Sequence, residues 1–520
     1  MVWRPDDPQG NESGKVRWEI VPFTRGKGLD LGCGPHKAFP HFTGVDNLKD
    51  VEMFGIQMKP DVVVESCERL TEFEAESLDF VFSSHLLEHI EDYASALKEW
   101  WRVIKPGGHL VLYLPHKHLY PNVGTPGANP DHKHDFEPFD IQDVMRELGG
   151  WSLVENQIRD EGMEYSFLQV YRKRSDGMQV NEWIRVGKAN KKRACVVRYG
   201  GFGDMLQAAG VLPALKAHGY HVTVMTTPRG MSVIEHDPNV DAFFIKDDDQ
   251  VPNHLLSDFW EYQAKKFDRF INLSESIEGT LLALPGRAQH LWPHEVRHKY
   301  LNRNYHEFTA ELAGVPFKPD GRFYPTMEER AKVSAMIRPG EEFNVVYALS
   351  GSSQHKFYAG QDNVIASILI ACPEARIFLT GDDACRLLEQ GWENEPRVVC
   401  LSGEQTIRET LTLAQLADVV MGPETGVLNA VGFDESVLKV CLLSHSSVEN
   451  LTKHWKNSMP IEPVGISCYP CHRMHYGMKY CRENPETGTA ECQMSIDPQR
   501  IVDAVMRGYE QFKERCREFA

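Results

Sequence analysis

Gly28-Leu29-Asp30-Leu31-Gly32-Cys33-Gly34 decides the reading of this chain. A short apolar run ends here in a tight turn, and Gly32 and Gly34 remove side chains where a ligand must come close to the backbone. In open α/β sheets, ligands sit beyond the carboxyl ends of the strands, at the point where strand order reverses. Taken alone, such a turn belongs to many nucleotide binders or to a plain loop. What surrounds it narrows the reading.

Gly44-Val45-Asp46-Asn47 follows at the distance expected of the next strand's end and places Asp46 to accept hydrogen bonds from two ribose hydroxyls. Leu78-Asp79-Phe80-Val81-Phe82-Ser83-Ser84-His85 reads as an apolar strand ending in polar residues. The stretch 99–108 reads as a helix terminating in Pro106-Gly107-Gly108, and His109 to Pro115 as the strand after it. In this order the motifs resemble the class I S-adenosylmethionine-dependent methyltransferases (type 11-like), in the small-molecule branch whose helix here reads His85-Leu86-Leu87-Glu88-His89-Ile90. The resemblance covers about residues 25–172. It implies S-adenosylmethionine as cofactor, held by Asp30, Gly32, Cys33, Gly34, Asp46, Asn47 and Ser84. Residues after Val64 would flank the adenine; many relatives carry Asp there, whereas this chain reads Glu65-Ser66-Cys67-Glu68, leaving Ser66 or Glu68 to serve.

Methyl transfer needs mainly proximity and in-line geometry, and a hydroxyl acceptor gains from a general base. Candidates are His85, His116, His118, His132 and His134, with His85 first because it ends a central strand. The two His-x-His pairs are read either as a polar loop or as metal ligands.

The chain is 520 residues long, more than one core accommodates. Polar, Gly-bearing Arg172-Lys173-Arg174-Ser175-Asp176-Gly177 and the basic Lys188, Lys191, Lys192 and Arg193 read as a linker over 173–192, after a first domain of 1–172. A second α/β domain is expected over 193–335 and a third over 336–520. The fold class is α/β throughout: a Rossmann-like unit followed by two more Rossmann-like domains facing across a cleft.

The second half opens with Val196-Val197-Arg198-Tyr199-Gly200-Gly201-Phe202-Gly203-Asp204-Met205, a strand, a glycine loop and a helix start. It resembles family 9 glycosyltransferases, the lipopolysaccharide heptosyltransferase group, whose first loop carries Leu-Gly-Asp. Leu349 to Tyr358, Ala375 to Asp382 and Leu416 to Ala430 resemble that family's later loops, so the resemblance covers about 193–510 and implies the two-domain GT-B fold. It implies a nucleotide-diphosphate sugar as donor and a glycan or glycolipid as acceptor. Asp204 would be the base of a single inverting displacement. Ser352, Lys356, Gly381, Glu424, Thr425, Gly426 and Asn429 would hold the donor, with Lys356 stabilising the leaving diphosphate and backbone amides holding phosphate. The competing reading of Asp204 is a helix cap, and of Lys356 a surface lysine. Glu424 stands where the family has Asp and Asn429 where His is common, so heptose is not assumed as the donor sugar.

Of twelve cysteines, eight are scattered among apolar neighbours. Cys468, Cys471, Cys481 and Cys492 cluster, with His472 and His475 nearby. They read as a structural zinc site, as two disulfides or as buried thiols. A formal charge of −18 argues against a nucleic-acid footprint. No apolar run reaches about 18 residues and the N-terminus lacks a secretory h-region, so a cytoplasmic location is expected. The combined reading is a bifunctional transferase, with a glycosyltransferase acting on protein or modified DNA, or one inactive module, as alternatives.

Overall fold

The structure, a computed structural model, describes residues 11–53, 55–182 and 192–519. Lys188, Lys191 and the first ten residues therefore lie outside the described residues. The chain divides into two compact units, one of 1–190 with 245–266, the other of 191–244 with 267–520.

The first unit contains ten strands: β1 (Gly28–Leu31), β2 (Thr43–Asp46), β3 (Glu52–Met53), β4 (Ile56–Gln57), β5 (Val62–Val63), β6 (Leu78–Ser84), β7 (Ile104–Pro115), β8 (Trp151–Arg159), β9 (Ser166–Lys173) and β10 (Gln179–Asn181). Eight form one sheet in the order β10-β8-β9-β7-β6-β1-β2-β5, while β3 and β4 form a separate two-stranded ribbon. Pairing is parallel from β5 to β7, and β9 runs antiparallel between β7 and β8. The order reverses between β1 and β6, so the switch point lies beside the Gly32 turn. All four residues of β1 are buried, as a strand covered on both faces requires.

Two departures from local expectation have physical causes. The helix Tyr93–Val103 ends before Pro106-Gly107-Gly108, which lies within β7 instead. The register with β6 shifts there, and Gly108 packs so close that a Cβ on it would meet the Asp79 carbonyl at 2.6 Å. Within the stretch read as linker, Gln179–Asn181 pairs in parallel with Trp151–Leu153 and becomes the sheet's edge strand.

The segment 245–266 packs in the first unit although it follows the second sheet's early strands in sequence. Gln250 donates through Nε2 to the Val21 and Thr24 carbonyls at 2.6 and 3.0 Å, and Gln263 to the Trp18 carbonyl at 2.8 Å. Phe259 and Trp18 rings lie 5.8 Å apart beneath these bonds. Each glutamine is buried, and its amide is satisfied by backbone carbonyls.

The second unit holds two sheets. β11 (Arg193–Val197), β12 (His221–Thr226), β13 (Ala242–Ile245) and β14 (Arg269–Asn272) run in the order β13-β12-β11-β14. β15 (Phe343–Ala348), β16 (Ala375–Thr380), β17 (Val398–Cys400), β18 (Val419–Pro423), β19 (Leu438–Leu442) and β20 (Ser458–Ile461) run in the order β17-β16-β15-β18-β19-β20, all parallel. Both orders reverse once, beside β11 and beside β15, so both sheets are Rossmann-like. β15, β18 and β19 are wholly buried and rich in Val and Leu, as central parallel strands are. The glycosyltransferase-like half is thus two Rossmann-like domains that share a cleft, the GT-B arrangement. Among the described residues no helix is long and apolar enough to cross a membrane.

Candidate active sites

In the first unit, Gly32 and Gly34 both adopt left-handed backbone, with φ of 64° and 53°. Their surroundings differ. A Cβ on Gly32 would come within 2.8 Å of Leu86, whereas one on Gly34 meets nothing within 4 Å. Gly34 therefore opens onto free space at the switch point. Asp46, closing β2, accepts the Gly34 amide at 3.0 Å through Oδ2 and the Leu48 amide at 2.9 Å through Oδ1. Each carboxylate oxygen keeps a lone pair for a ligand hydroxyl. Asn47 beside it is exposed.

Asp30 is buried and accepts the Ala38 amide at 2.8 Å, so it clamps the loop from below. Burial pushes its carboxyl up to about 7, against the Ala38 bond and Lys37. The Cys33 thiol is pushed up to about 12, by burial first and then by Asp30 and Asp46, which leaves it protonated. After β5, the Ser66 hydroxyl accepts the Glu68 amide at 3.2 Å, and the Cys67 carbonyl accepts the buried Trp100 indole at 2.7 Å. That indole ties the loop after β5 to the core.

At the end of β6 the hydroxyls of Ser83 and Ser84 are buried without a partner. His85 follows with φ of 50°, its Nε2 3.0 Å from the Ser166 hydroxyl. Burial, and then the charges of Lys15, His132 and His89, push it down to about 3. At neutral pH it is an uncharged imidazole, suited to orienting a substrate by hydrogen bonding and weak as a proton acceptor.

Glu88 received no role from the sequence. It is fully buried, and neither carboxylate oxygen has a hydrogen-bond partner. Burial pushes it up to about 8. His85 Nδ1 lies 3.7 Å and His132 Nε2 3.9 Å from Oε1. Ligand atoms of Glu88, His89 and His132 fall within 4.8 Å of one another, a carboxylate and two imidazoles that suit a divalent transition ion. Of the two His-x-His pairs only His132 joins that set, since His118 bonds Glu137 at 2.7 Å and His134 bonds the Glu91 carbonyl at 3.0 Å. A charged residue inside Leu86-Leu87-Glu88-His89-Ile90 was the signal available in the sequence.

The cleft of the second unit encloses a cavity of about 520 Å³, within the range of ligand sites. Asp204, Lys356, Gly381, Ser352, Glu424, Thr425, Gly426 and Asn429 all line it, so the loops after β11, β15, β16 and β18 bring the expected residues together. The two sheets meet through glycine. A Cβ on Gly426 would approach the Gly203 amide nitrogen to 3.0 Å, and one on Gly203 would reach Asn429 Nδ2 at 2.8 Å.

Asp204 is not the N-cap of the plainer reading: it is the third residue of the helix Phe202–Ala209, and its Oδ2 accepts the Gly201 amide at 2.9 Å. Its Oδ1 is left toward Arg198, 3.3 Å from Nη2. Arg198, almost fully buried, binds Glu278 Oε2 at 2.6 Å and the Leu273 carbonyl at 3.0 Å. Neither Arg198 nor Glu278 was singled out from sequence, because 80 residues separate them. Lys356 is buried and donates to the Glu424 carbonyl at 2.8 Å, so it is not a surface lysine. Arg229, stacked 4.6 Å over the Phe202 ring, is a second cation of the cavity.

Glu424 faces away from a purely ligand role. Its Oε1 accepts the Ser444 and Ser446 amides at 2.8 and 3.1 Å, and its Oε2 lies 2.7 Å from His445 Nδ1. Burial raises this carboxyl, but His445, Lys356 and the Ser444 amide outweigh it and hold the group at about 2. Thr425 Oγ1, Asn429 Oδ1 and Gln207 Oε1 are buried without partners at the cavity wall, aimed where a polar ligand would satisfy them.

A methyltransferase domain family model matches residues 29–112. Ubiquinone biosynthesis O-methyltransferase of Pseudomonas savastanoi pv. phaseolicola is 30% identical over 197 residues, 33% of this chain and 83% of that protein. The enzyme of the same name from Pseudomonas entomophila is 29% identical over 195 residues, again 33% and 83%. Through its first unit, the chain belongs to the methyltransferase family. Among solved structures, Escherichia coli ADP-heptose lipopolysaccharide heptosyltransferase II is 14% identical, with a TM-score of 0.44, covering 62% of this chain and 99% of that one. The family 9 glycosyl transferase of Veillonella parvula is 13% identical, with a TM-score of 0.45 and the same coverages.

In the methyltransferase unit, the open face of Gly34, the free lone pairs of Asp46 and the orphaned Ser83 and Ser84 hydroxyls fit S-adenosylmethionine at the switch point. The four clustered cysteines of the second unit are all free thiols. Burial raises Cys471 to about 12 and Cys481 to about 11, and neighbouring sulfurs add to both. Their sulfurs are close enough to interact, yet Glu88, His89 and His132 are the one set among the described residues that converges to within 4.8 Å.

Proposed function

We propose that this chain is a bifunctional transferase in which the first unit methylates an oxygen acceptor from S-adenosylmethionine and the second transfers a sugar from a nucleoside-diphosphate donor. The observation that carries the second activity is the single cavity in which Asp204 faces Lys356, Arg229 and the unpartnered Thr425 and Asn429. Two cations lining one cavity match a diphosphate, and the Asp204 carboxylate in the same cavity suits removal of a proton from an acceptor hydroxyl. The acceptor O–H breaks and its proton passes to Asp204. The oxygen's electron pair forms the new bond at the anomeric carbon, and the anomeric C–O bond breaks with its electrons leaving on the diphosphate. Attack opposite the leaving group inverts the anomeric centre.

For the first unit, the matched relatives carry O-methyltransferase in their names, which favours a hydroxyl acceptor. S-adenosylmethionine supplies an activated methyl group when bound; Asp46 and the Gly32–Gly34 turn hold it, and neutral His85 orients the acceptor. We infer a glycan or glycolipid acceptor for both steps, in a decorated glycan assembled in the cytoplasm. Metal analysis of protein purified without chelator decides between zinc and free thiols at Cys468, Cys471, Cys481 and Cys492, whose sulfurs do not converge to within 4.8 Å.

The test is calorimetric titration with S-adenosylmethionine, together with a panel of sugar nucleotides scored for transfer and hydrolysis. Failure of S-adenosylmethionine to bind at millimolar concentration overturns the methyltransferase half. Full transferase rate in Asp204→Ala overturns the base assignment.

A further inference from the structure

Arg198 poses a chemical problem for the proposed base. A carboxylate beside a guanidinium is a poor proton acceptor, because the cation favours its charged form, typically by about one to three pH units. Arg198 has no route to solvent and stays charged. Its charge therefore has to be compensated from another side if Asp204 is to act.

Glu278 supplies that compensation. It lies after β14, across the switch point from Asp204, and takes the shorter bond of the same Nη2: 2.6 Å against 3.3 Å for Asp204. Both carboxylates flank Gly200, where an added Cβ would lie 3.3 Å from an oxygen of each. The other Arg198 terminal nitrogen is anchored on the Leu273 carbonyl, so the guanidinium cannot swing toward Asp204. Both carboxylates line the cavity. We propose that Glu278 is a positioning residue for Asp204: by holding and neutralising Arg198, it leaves Asp204 basic enough to take the proton of the acceptor hydroxyl. This rests on the sugar-transfer reading of the cleft.

Of the groups nearest Glu278, Arg198 and Asp204 come from the loop after β11. Tyr305 faces it from the helix Tyr305–Ala313, with its phenol raised by burial first and by Glu424, Cys471 and Glu278 after that. Arg229 and Lys356 line the same cavity from the helix Pro228–Ile234 and from the loop after β15. Besides these, the carboxyls of Asp382 and Glu424, the His445 imidazole and the Cys385 thiol line the same cavity. Burial, and next the charge of Asp204, push Glu278 up to about 7 against the pull of Arg198. Two carboxylates on one cation release their protons in linked steps that belong to the pair. When Asp204 accepts the acceptor's proton, the repulsion on Glu278 falls and its own charged form is favoured. The trio thus passes from a net charge that depends on Glu278 to one that is neutral, without moving a heavy atom.

An infrared-detected pH titration of the full-length protein, comparing wild type with E278Q, E278D and D204N, tests this without any sugar donor. Wild type is expected to show a carboxyl step near pH 7 that disappears in E278Q and moves to lower pH in D204N. The Asp204 step, read as the carboxyl step present in E278Q and absent when D204N is added to it, is expected about one unit lower than the corresponding wild-type step and restored in E278D. With the donor found by the nucleotide panel, the acidic limb of kcat/KM shifts the same way. The loss of kcat in E278Q stays smaller than the roughly 10²–10⁴-fold loss expected for D204N. An Asp204 step that E278Q leaves in place overturns the proposal. Calorimetry with ADP and UDP separately tests the nucleotide reading. If neither binds while the carboxylate steps behave as described, the sugar-transfer reading fails and the coupling stands.

Discussion

Glu424→Gln probes how the donor loop is held. The carboxylate sits at about 2 in the folded protein against an ordinary 4.5. That gap of about 2.5 units converts, at about 1.4 kcal/mol each, to roughly 3 kcal/mol of stability at neutral pH. Glutamine keeps an acceptor for the Ser444 and Ser446 amides, so the expected loss is somewhat smaller, about 2–3 kcal/mol. Because the folded value is depressed, the stabilisation is fully present above about pH 4.5 and is lost as pH falls toward 2. The cost of the substitution must therefore shrink in acid. The two units need not unfold together, so the assay is hydrogen-exchange mass spectrometry on peptides from β18 and β19, which flank the loop. About 2–3 kcal/mol of lost protection is expected at pH 7, shrinking at pH 3.5. Equal protection in wild type and variant at pH 7, or a gap that widens in acid, refutes the reasoning.

Three further outcomes are expected. Gly34→Val places a side chain in the open space at the switch point and costs about 1–2 kcal/mol for its left-handed backbone; calorimetry should show S-adenosylmethionine affinity falling at least tenfold while unit 1 remains folded. Lys356→Met removes one cation of the cleft and should weaken ADP or UDP binding by about tenfold or more, with a smaller effect on the matching nucleoside monophosphate. Trp100→Ala removes a fully buried indole and its bond to Cys67, so chemical denaturation of the first unit should register a loss of about 3–5 kcal/mol.

What could be read from sequence was whatever the chain writes locally. The Gly32–Gly34 turn, Asp46 at a strand's end, and the loops bearing Asp204, Lys356 and Thr425 are short runs in which strand, turn and helix signals follow one another. All of them lie at switch points in the structure. Asp204 shows the limit of such reading: its Oδ2 holds the helix start through the Gly201 amide, while its Oδ1 faces Arg198, which no local pattern announces. The Pro106–Gly108 stretch shows another limit. Its residues stop a helix in the local code, yet they lie within a strand whose register shifts where Gly108 packs close to Asp79, 29 residues away.

The groups that set the chemistry at both sites are joined by tertiary contact alone. Glu88 meets His132 across 44 positions, and Arg198 meets Glu278 across 80. No periodicity encodes such pairs, since parallel strands are joined by long crossovers that bring distant loops to one edge. The same topology explains why the missed residues are charged and buried. A switch point gathers loop ends into a place with little water, and a carboxylate there must find a cation, a proton or a ligand. Glu278 finds Arg198, Glu424 finds His445 and Lys356, and Glu88, pushed up to about 8 by burial, finds a proton. The first two pairs are complete and hold the cleft in shape, while Glu88 is left with both oxygens unsatisfied beside His85. The methyltransferase unit's substrate or metal chemistry is therefore expected to converge on Glu88, and the sugar-transfer chemistry on Asp204, the carboxylate whose cation is already taken.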